Sequence, residues 1–131
     1  MITVLADHNI EGQAALLWST MLTGGWLDFG LFRLMTFEEV GLSIASTDRA
    51  VWRFVQAHDM LLLTGNRNMD GEASLEQVIR EENHPAALPV FTIGNLDRLL
   101  DRRYREACAD RLVEIAVTLD SYRGTGRIYL P

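Results

Sequence analysis

The chain has 131 residues, 48% of them hydrophobic and 23% charged, with three prolines and a single cysteine. This composition fits one compact domain with enough apolar material for a core, and it excludes a disordered chain or a disulfide-built scaffold. A formal net charge of −6 argues against a broad basic surface that would hold the protein on nucleic acid.

"ITVLADHN" opens with a β-branched and apolar run, which predicts a buried central strand at residues 2 to 6 that ends at Asp7. Ile10, Ala14, Leu17, Trp18, Met21 and Leu22 then recur at helical spacing until Gly24 and Gly25 close the pattern. Residues 29 to 35, "FGLFRLM", predict a second strand. Thr36 and Glu39 have the spacing of a capping box for a short helical turn that ends near Gly41. In "STDRAVWRFVQAHD", Ser46, Thr47 or Asp48 caps a helix whose inward face carries Ala50, Val51, Phe54 and Val55.

"MLLLT" is the third strand. Ser74 and Gln77 form a second capping-box pair, opening a helix through Leu75, Val78 and Ile79 that stops before Pro85. "LPVFTIG" predicts the fourth strand. One long helix over residues 96 to 121 follows, with Leu96, Leu99, Leu100, Tyr104, Cys108, Leu112 and Ile115 on its apolar face. On its charged face Asp101 and Arg105 are an expected i,i+4 pair, and Arg98, Arg102 and Arg105 form a stripe suited either to phosphate contact or to plain solvation. A short strand at residues 127 to 130 closes the chain after a glycine-punctuated turn.

Strands alternating with helices and no internal linker make the chain a single α/β domain over residues 1–131, with a mostly parallel sheet of about five strands covered on both faces. Functional residues in such sheets lie beyond the carboxyl ends of the strands. Asp7 follows the first strand. Thr64, Asn66, Asn68, Asp70 and Glu72 follow the third, and Asn95 and Asp97 the fourth. Asp48 sits at a helix start, where acidic residues are common for dipole reasons alone. A group of Asp7, Asp48 and Asp70 has the oxygen chemistry that Mg²⁺ or Mn²⁺ takes. His8, His58 and His84 lack the spacing of a zinc motif.

Other site types are absent. No GxGxxG follows the first strand, no phosphate-binding glycine loop carries a lysine, and no GxSxG elbow occurs. All twelve basic residues are arginine, so a phosphoacceptor receiver lacks its lysine. Arginine suits bidentate contact with phosphate or carboxylate, but a codon bias toward arginine is the preferred account of the pattern. Cys108 falls in an apolar stripe and reads as core.

"VLADHNI", "GLSIASTDRAVW" and "DMLLLTGNRNMD" resemble, in order and spacing, the motifs of small PIN-like domains: a strand ending in Asp-Glu-Asn, a Gly-Leu stretch with Ser-Asp before a helix, and a strand ending in Thr-Arg-Asp-x-Asp. "GRIYLP" is similar to their closing strand. The resemblance implies a three-layer α/β/α sandwich and an acidic cluster holding Mg²⁺ or Mn²⁺ for phosphodiester hydrolysis in RNA, as in the toxin component of toxin–antitoxin pairs. Asp7 and Asp48 match the first two family aspartates. His8 stands in place of the glutamate, and Asn66 and Asn68 in place of the paired aspartates, which removes two negative charges from the site and weakens it. Asp70, two residues further on, and Asp97 after the fourth strand are candidate substitutes, neither matched by the motif.

The expected catalytic set is therefore Asp7, Asp48, Asn66, Asn68 and Asp70, with Asp7, Asp48 and Asp70 as metal ligands and Asn9, Thr64, Arg67 and Arg98 as substrate contacts. RNA and a cognate antitoxin are the expected partners. A catalytically inactive module that binds RNA or a protein through the same crevice is the alternative. Trp26, outside the helical core patterns, is the candidate anchor of a homodimer. With no apolar run long enough to span a bilayer and no signal pattern at the start, a cytoplasmic location and no membrane partner are expected.

Overall fold

The computed structural model describes residues 1–25, 30–65 and 73–131. Five strands, β1 (Ile2–Ala6), β2 (Phe32–Met35), β3 (Met60–Thr64), β4 (Val90–Ile93) and β5 (Arg127–Leu130), form one wholly parallel sheet in the order β2-β1-β3-β4-β5. The helices are α1 (Glu11–Thr23), α2 (Phe37–Val40), α3 (Asp48–Ala57), α4 (Leu75–Glu82) and α5 (Arg102–Val117).

The strands alternate their side chains between two cores, and this makes the molecule a three-layer α/β/α sandwich. Val4, Ala6, Leu61, Leu63, Phe91, Ile93, Ile128 and Leu130 point to the face covered by α1 and α5, where Leu17, Met21, Cys108 and Leu112 meet them. Leu5, Leu62 and Val90 point to the opposite face, where Phe37 of α2, Val51, Trp52 and Val55 of α3, and Val78 and Ile79 of α4 pack. Each fully buried Leu in these layers contributes about 1.5–3 kcal/mol relative to an exposed one.

The connections β1→β2, β2→β3 and β3→β4 share one hand: the first runs toward one sheet edge over the α1 face, the other two toward the opposite edge over the α3–α4 face. The last, through α5, keeps the second direction but returns over the first face, so its hand is opposite to that of the other three. Its result is that α5 lies beside α1 and completes a layer that α1 alone would leave half covered.

Local chemistry explains the element ends. Thr36 accepts from the Glu39 backbone N–H at 3.3 Å while its own N–H donates to Glu39 Oε1 at 3.1 Å, the reciprocal capping box expected there. Thr47 is the residue that caps α3, accepting from the Ala50 N–H at 3.1 Å, and Ser74 caps α4 by accepting from Gln77 N–H at 3.1 Å.

Sequence expectations are overturned at three places: Ala50, expected on the inward face of α3, is exposed; the Gln77 side chain donates to Glu81 at 2.9 Å instead of closing a box with Ser74; and the long helix is broken. Residues 96 to 121 are a short 3-10 turn (Asp97–Leu100), then α5, then a second 3-10 turn (Leu119–Tyr122). Asp101 breaks the run: its backbone is extended, with ψ 121°, and its carboxylate accepts from the Arg103 N–H at 2.8 Å as the cap of α5. Asp101 therefore makes no ion pair with Arg105. Arg105 instead donates to the carbonyls of Leu99 and Leu100 at 2.7 and 3.0 Å and to Thr20 Oγ1 at 3.1 Å, which ties the turn to α1. Among the described residues no helix is long and apolar enough to cross a membrane.

Candidate functional site

The sheet order reverses direction between β1 and β3, since β1 leads to β2 on one side while β3, β4 and β5 follow on the other. At such a point the two following chains diverge to opposite faces and leave a crevice beyond the carboxyl ends of the strands. A cavity of about 420 Å³ lies there, lined by Asp7, His8, Asn9 and Ile10 after β1, by Gly65 after β3, and by Phe37, Ile44, Ser46 and Asp48 from the α2–α3 side.

Asp7 is set by the sheet itself. Its N–H donates to the carbonyl of Leu63 at 2.9 Å, continuing the β1–β3 ladder, and its Oδ2 accepts from the hydroxyl of Thr64 at 2.7 Å. Thr64 is fully buried, so the last side chain of β3 orients the first side chain after β1. Asp7 makes no side-chain bond to a helix terminus, so it does not serve as a capping residue. Oδ1 of Asp7 makes no hydrogen bond among the described residues.

Asp48 is the first residue of α3, one position after the Thr47 cap, and lines the same crevice. The positive end of the helix dipole favours a negative charge at that place. Residues more than forty positions apart in sequence thus bring two carboxylates to one cavity. Among the described residues no group of three or more His, Cys, Asp or Glu side chains is arranged to hold a metal ion.

His8 is 40% exposed, and its Nδ1 lies 3.4 Å from Glu11 Oε1, while Glu11 Oε2 accepts from the Phe37 N–H at 3.2 Å. Glu11 therefore joins the start of α1 to the start of α2 through two lining residues, His8 and Phe37. Asn9 lines the cavity and is exposed. Arg98 lies outside the cavity lining: its guanidinium stacks over the Tyr104 ring, 4.7 Å from the centroid. Arg102 pairs with Glu106 at 2.8 Å. With Arg105 bound to the turn carbonyls, the arginine stripe is occupied by contacts within the protein. Asn66, Arg67, Asn68 and Asp70, like Trp26, lie outside the described residues.

Sequence reasoning missed the walls of the crevice, namely Phe37, Ile44, Gly65, Leu75 and Leu96. One signal was available. Gly65 directly follows a strand end, and a Cβ there would stand 2.6 Å from Leu96 Cδ1, so the glycine marks a close approach at the site.

Comparison with family models, with curated proteins and with solved structures gives no match for this chain.

Proposed function

We propose that the chain is a PIN-like metal-dependent ribonuclease of toxin–antitoxin type whose acidic site is weakened. The observation that carries this reading is the convergence of Asp7 and Asp48 on one crevice at the reversal point of a parallel α/β sheet. The motif resemblance adds the substrate class, RNA, and a cognate antitoxin as partner, and the toxin role rests on that resemblance alone.

The donor set fits a hard divalent cation at its minimum. Mg²⁺ is commonly held by one or two carboxylates with water and substrate phosphate completing its shell, and Asp7 and Asp48 supply two, with Asp70 the candidate third. A Mg²⁺ or Mn²⁺ ion held by them would polarise the phosphodiester and offset the charge that develops in the transition state. The protein's own part is orientation. Thr64 fixes one oxygen of Asp7, the α3 terminus supports the charge of Asp48, and Ile10, Phe37 and Leu62 give the crevice an apolar part of its wall.

A second reading rests on the sequence: Asn66 and Asn68 stand where the motif has paired aspartates, and the loss of two charges favours an inactive PIN-like module that binds RNA or a protein.

Thermal unfolding of the wild type and Asp7→Ala, with and without millimolar Mn²⁺ or Mg²⁺, followed by RNA cleavage with the same samples, separates the two. The nuclease reading expects stabilisation by the ion, about 2.7 kcal/mol at a hundredfold excess over Kd, together with cleavage, both lost in the variant. No shift and no cleavage would leave the binding module.

A further inference from the structure

The crevice does not end at Asp7 and Asp48. A second cavity of about 370 Å³ lies beyond the carboxyl end of β4, lined by Gly65, Ile93, Gly94, Asn95, Leu96 and Asp97. Gly65 and Leu96 line both cavities, so the two are halves of one trough along the carboxyl edge of β1, β3 and β4, divided by the Leu96 side chain.

The halves differ in chemistry. The first holds the two carboxylates of the candidate metal site. The second has an apolar divider, Leu96, and two exposed polar side chains, Asn95 and Asp97. Asn95 Oδ1 accepts from the Arg98 N–H at 3.3 Å, which leaves its NH₂ as a donor with no hydrogen bond among the described residues. The Asp97 carboxylate makes no ion pair or hydrogen bond there either. The described lining residues carry one carboxylate, which repels phosphate, and no basic side chain. These residues offer a planar ring an apolar wall in Leu96, two acceptor oxygens in Asp97 and an amide donor in Asn95.

We infer that the trough is a two-unit site in which the half over β4 takes the nucleobase next to the phosphate at the Asp7–Asp48 half and prefers guanine. Guanine presents two neighbouring N–H donors, N1–H and N2–H, to a carboxylate and an O6 acceptor to an amide NH₂. Uracil offers its single N3–H between two carbonyl oxygens and faces the carboxylate with repulsion. The inference rests on the proposed RNA reading for its ligand class, and it does not require the chain to cleave.

The test is binding of fluorescent RNA decamers, an oligoadenylate host with one central guanosine or uridine, in EDTA so that no cleavage occurs, to the wild type and to Asp97→Asn and Leu96→Ala. The wild type is expected to bind the guanosine decamer about tenfold more tightly, with the preference lost in Asp97→Asn, where an amide replaces one acceptor by a donor. Leu96→Ala should weaken both decamers. Equal binding of the two decamers by the wild type, a preference unchanged in Asp97→Asn, or no binding of either decamer would overturn the inference. A base preference without metal-dependent cleavage in the parallel assay would overturn the nuclease reading and leave this site standing.

Discussion

The hydroxyl of Thr64, the last residue of β3, donates to Asp7 Oδ2 at 2.7 Å and so joins the carboxyl ends of the two strands between which the sheet reverses. Thr64 has no solvent exposure, and Asp7 is half-buried. Thr64→Val keeps the shape and removes the donor, leaving a carboxylate without its hydrogen bond beside an apolar methyl. A hydrogen bond to a charged group contributes about 1.5–3 kcal/mol, so the variant should unfold at a correspondingly lower denaturant midpoint. Any metal-dependent stabilisation should fall with it, because one oxygen of Asp7 is then no longer oriented. A variant as stable as the wild type would show that the contact does not hold the site.

Acid sensitivity should come from the junction of α3 and α4. Arg49 donates to Glu81 and Glu82, and Arg53 donates to Glu82 at 2.7 Å. The carboxyl of Glu81 is held below its usual range by the Gln77 amide and Arg49, and that of Glu82 by Arg53 and then Arg49. Depressed folded values mean that the unfolded chain takes up these protons first as pH falls. The stabilisation is therefore complete above the ordinary carboxylate value of 4.5 and is lost as pH drops through the lowered values. Melting temperatures followed from about pH 6 to pH 3 should fall less steeply in Glu82→Gln than in the wild type, and added salt should shrink the difference. Parallel curves would place the acid-sensitive groups elsewhere.

The legible parts of the fold were those where local pattern and tertiary place agree. "ITVLA" and "MLLLT" are continuous apolar runs because β1 and β3 are central strands covered on both faces, and the Thr36–Glu39 box stands where its spacing put it. The long helix was misread because Leu96, Leu99 and Leu100 stay in phase with the stripe of α5, although Leu99 is buried and Leu100 is 82% exposed. The signal that decides it is Asp101, a capping residue inside an apparently continuous pattern. At the site, the strand-end rule singled out Asp7 from the residues alone. Asp48 had only its helix-start position locally, and its place in the crevice that Asp7 lines is a product of the β2–α3–β3 crossover that no local pattern encodes.

Cys108 should be chemically silent in the folded protein. It is fully buried between α5 and the sheet, and burial pushes its thiol up to about 11 despite the opposing influence of Tyr104 and Arg98. At pH 8 only about one thiol in a thousand is then ionised, and the thiolate is the reactive form. A thiol-reactive chromophore should label the native protein negligibly over hours and label it fully in denaturant. Rapid native labelling would mean that the α1–α5 layer opens well below global unfolding.

Gly65 lies at the point where both halves of the trough meet, and a side chain there acts on the site more than on the fold. A Cβ at this position would stand 2.6 Å from Leu96 Cδ1, a contact that a real side chain does not make, and 3.0 Å from Leu96 Cγ, which is tight. The obstacle is the end of a flexible side chain, so Leu96 can rotate away rather than force the backbone to move. Gly65→Ala should therefore cost only about 1 kcal/mol or less, offset in part by the lower entropy of the unfolded chain. The displaced Leu96 changes the divider between the two cavities, so RNA binding should weaken by a larger factor than stability predicts. Urea unfolding and decamer binding measured on one preparation check both halves of the expectation. A variant several kcal/mol less stable would show that Leu96 is locked by its neighbours, and one that binds like the wild type would show that the trough does not pass over Gly65.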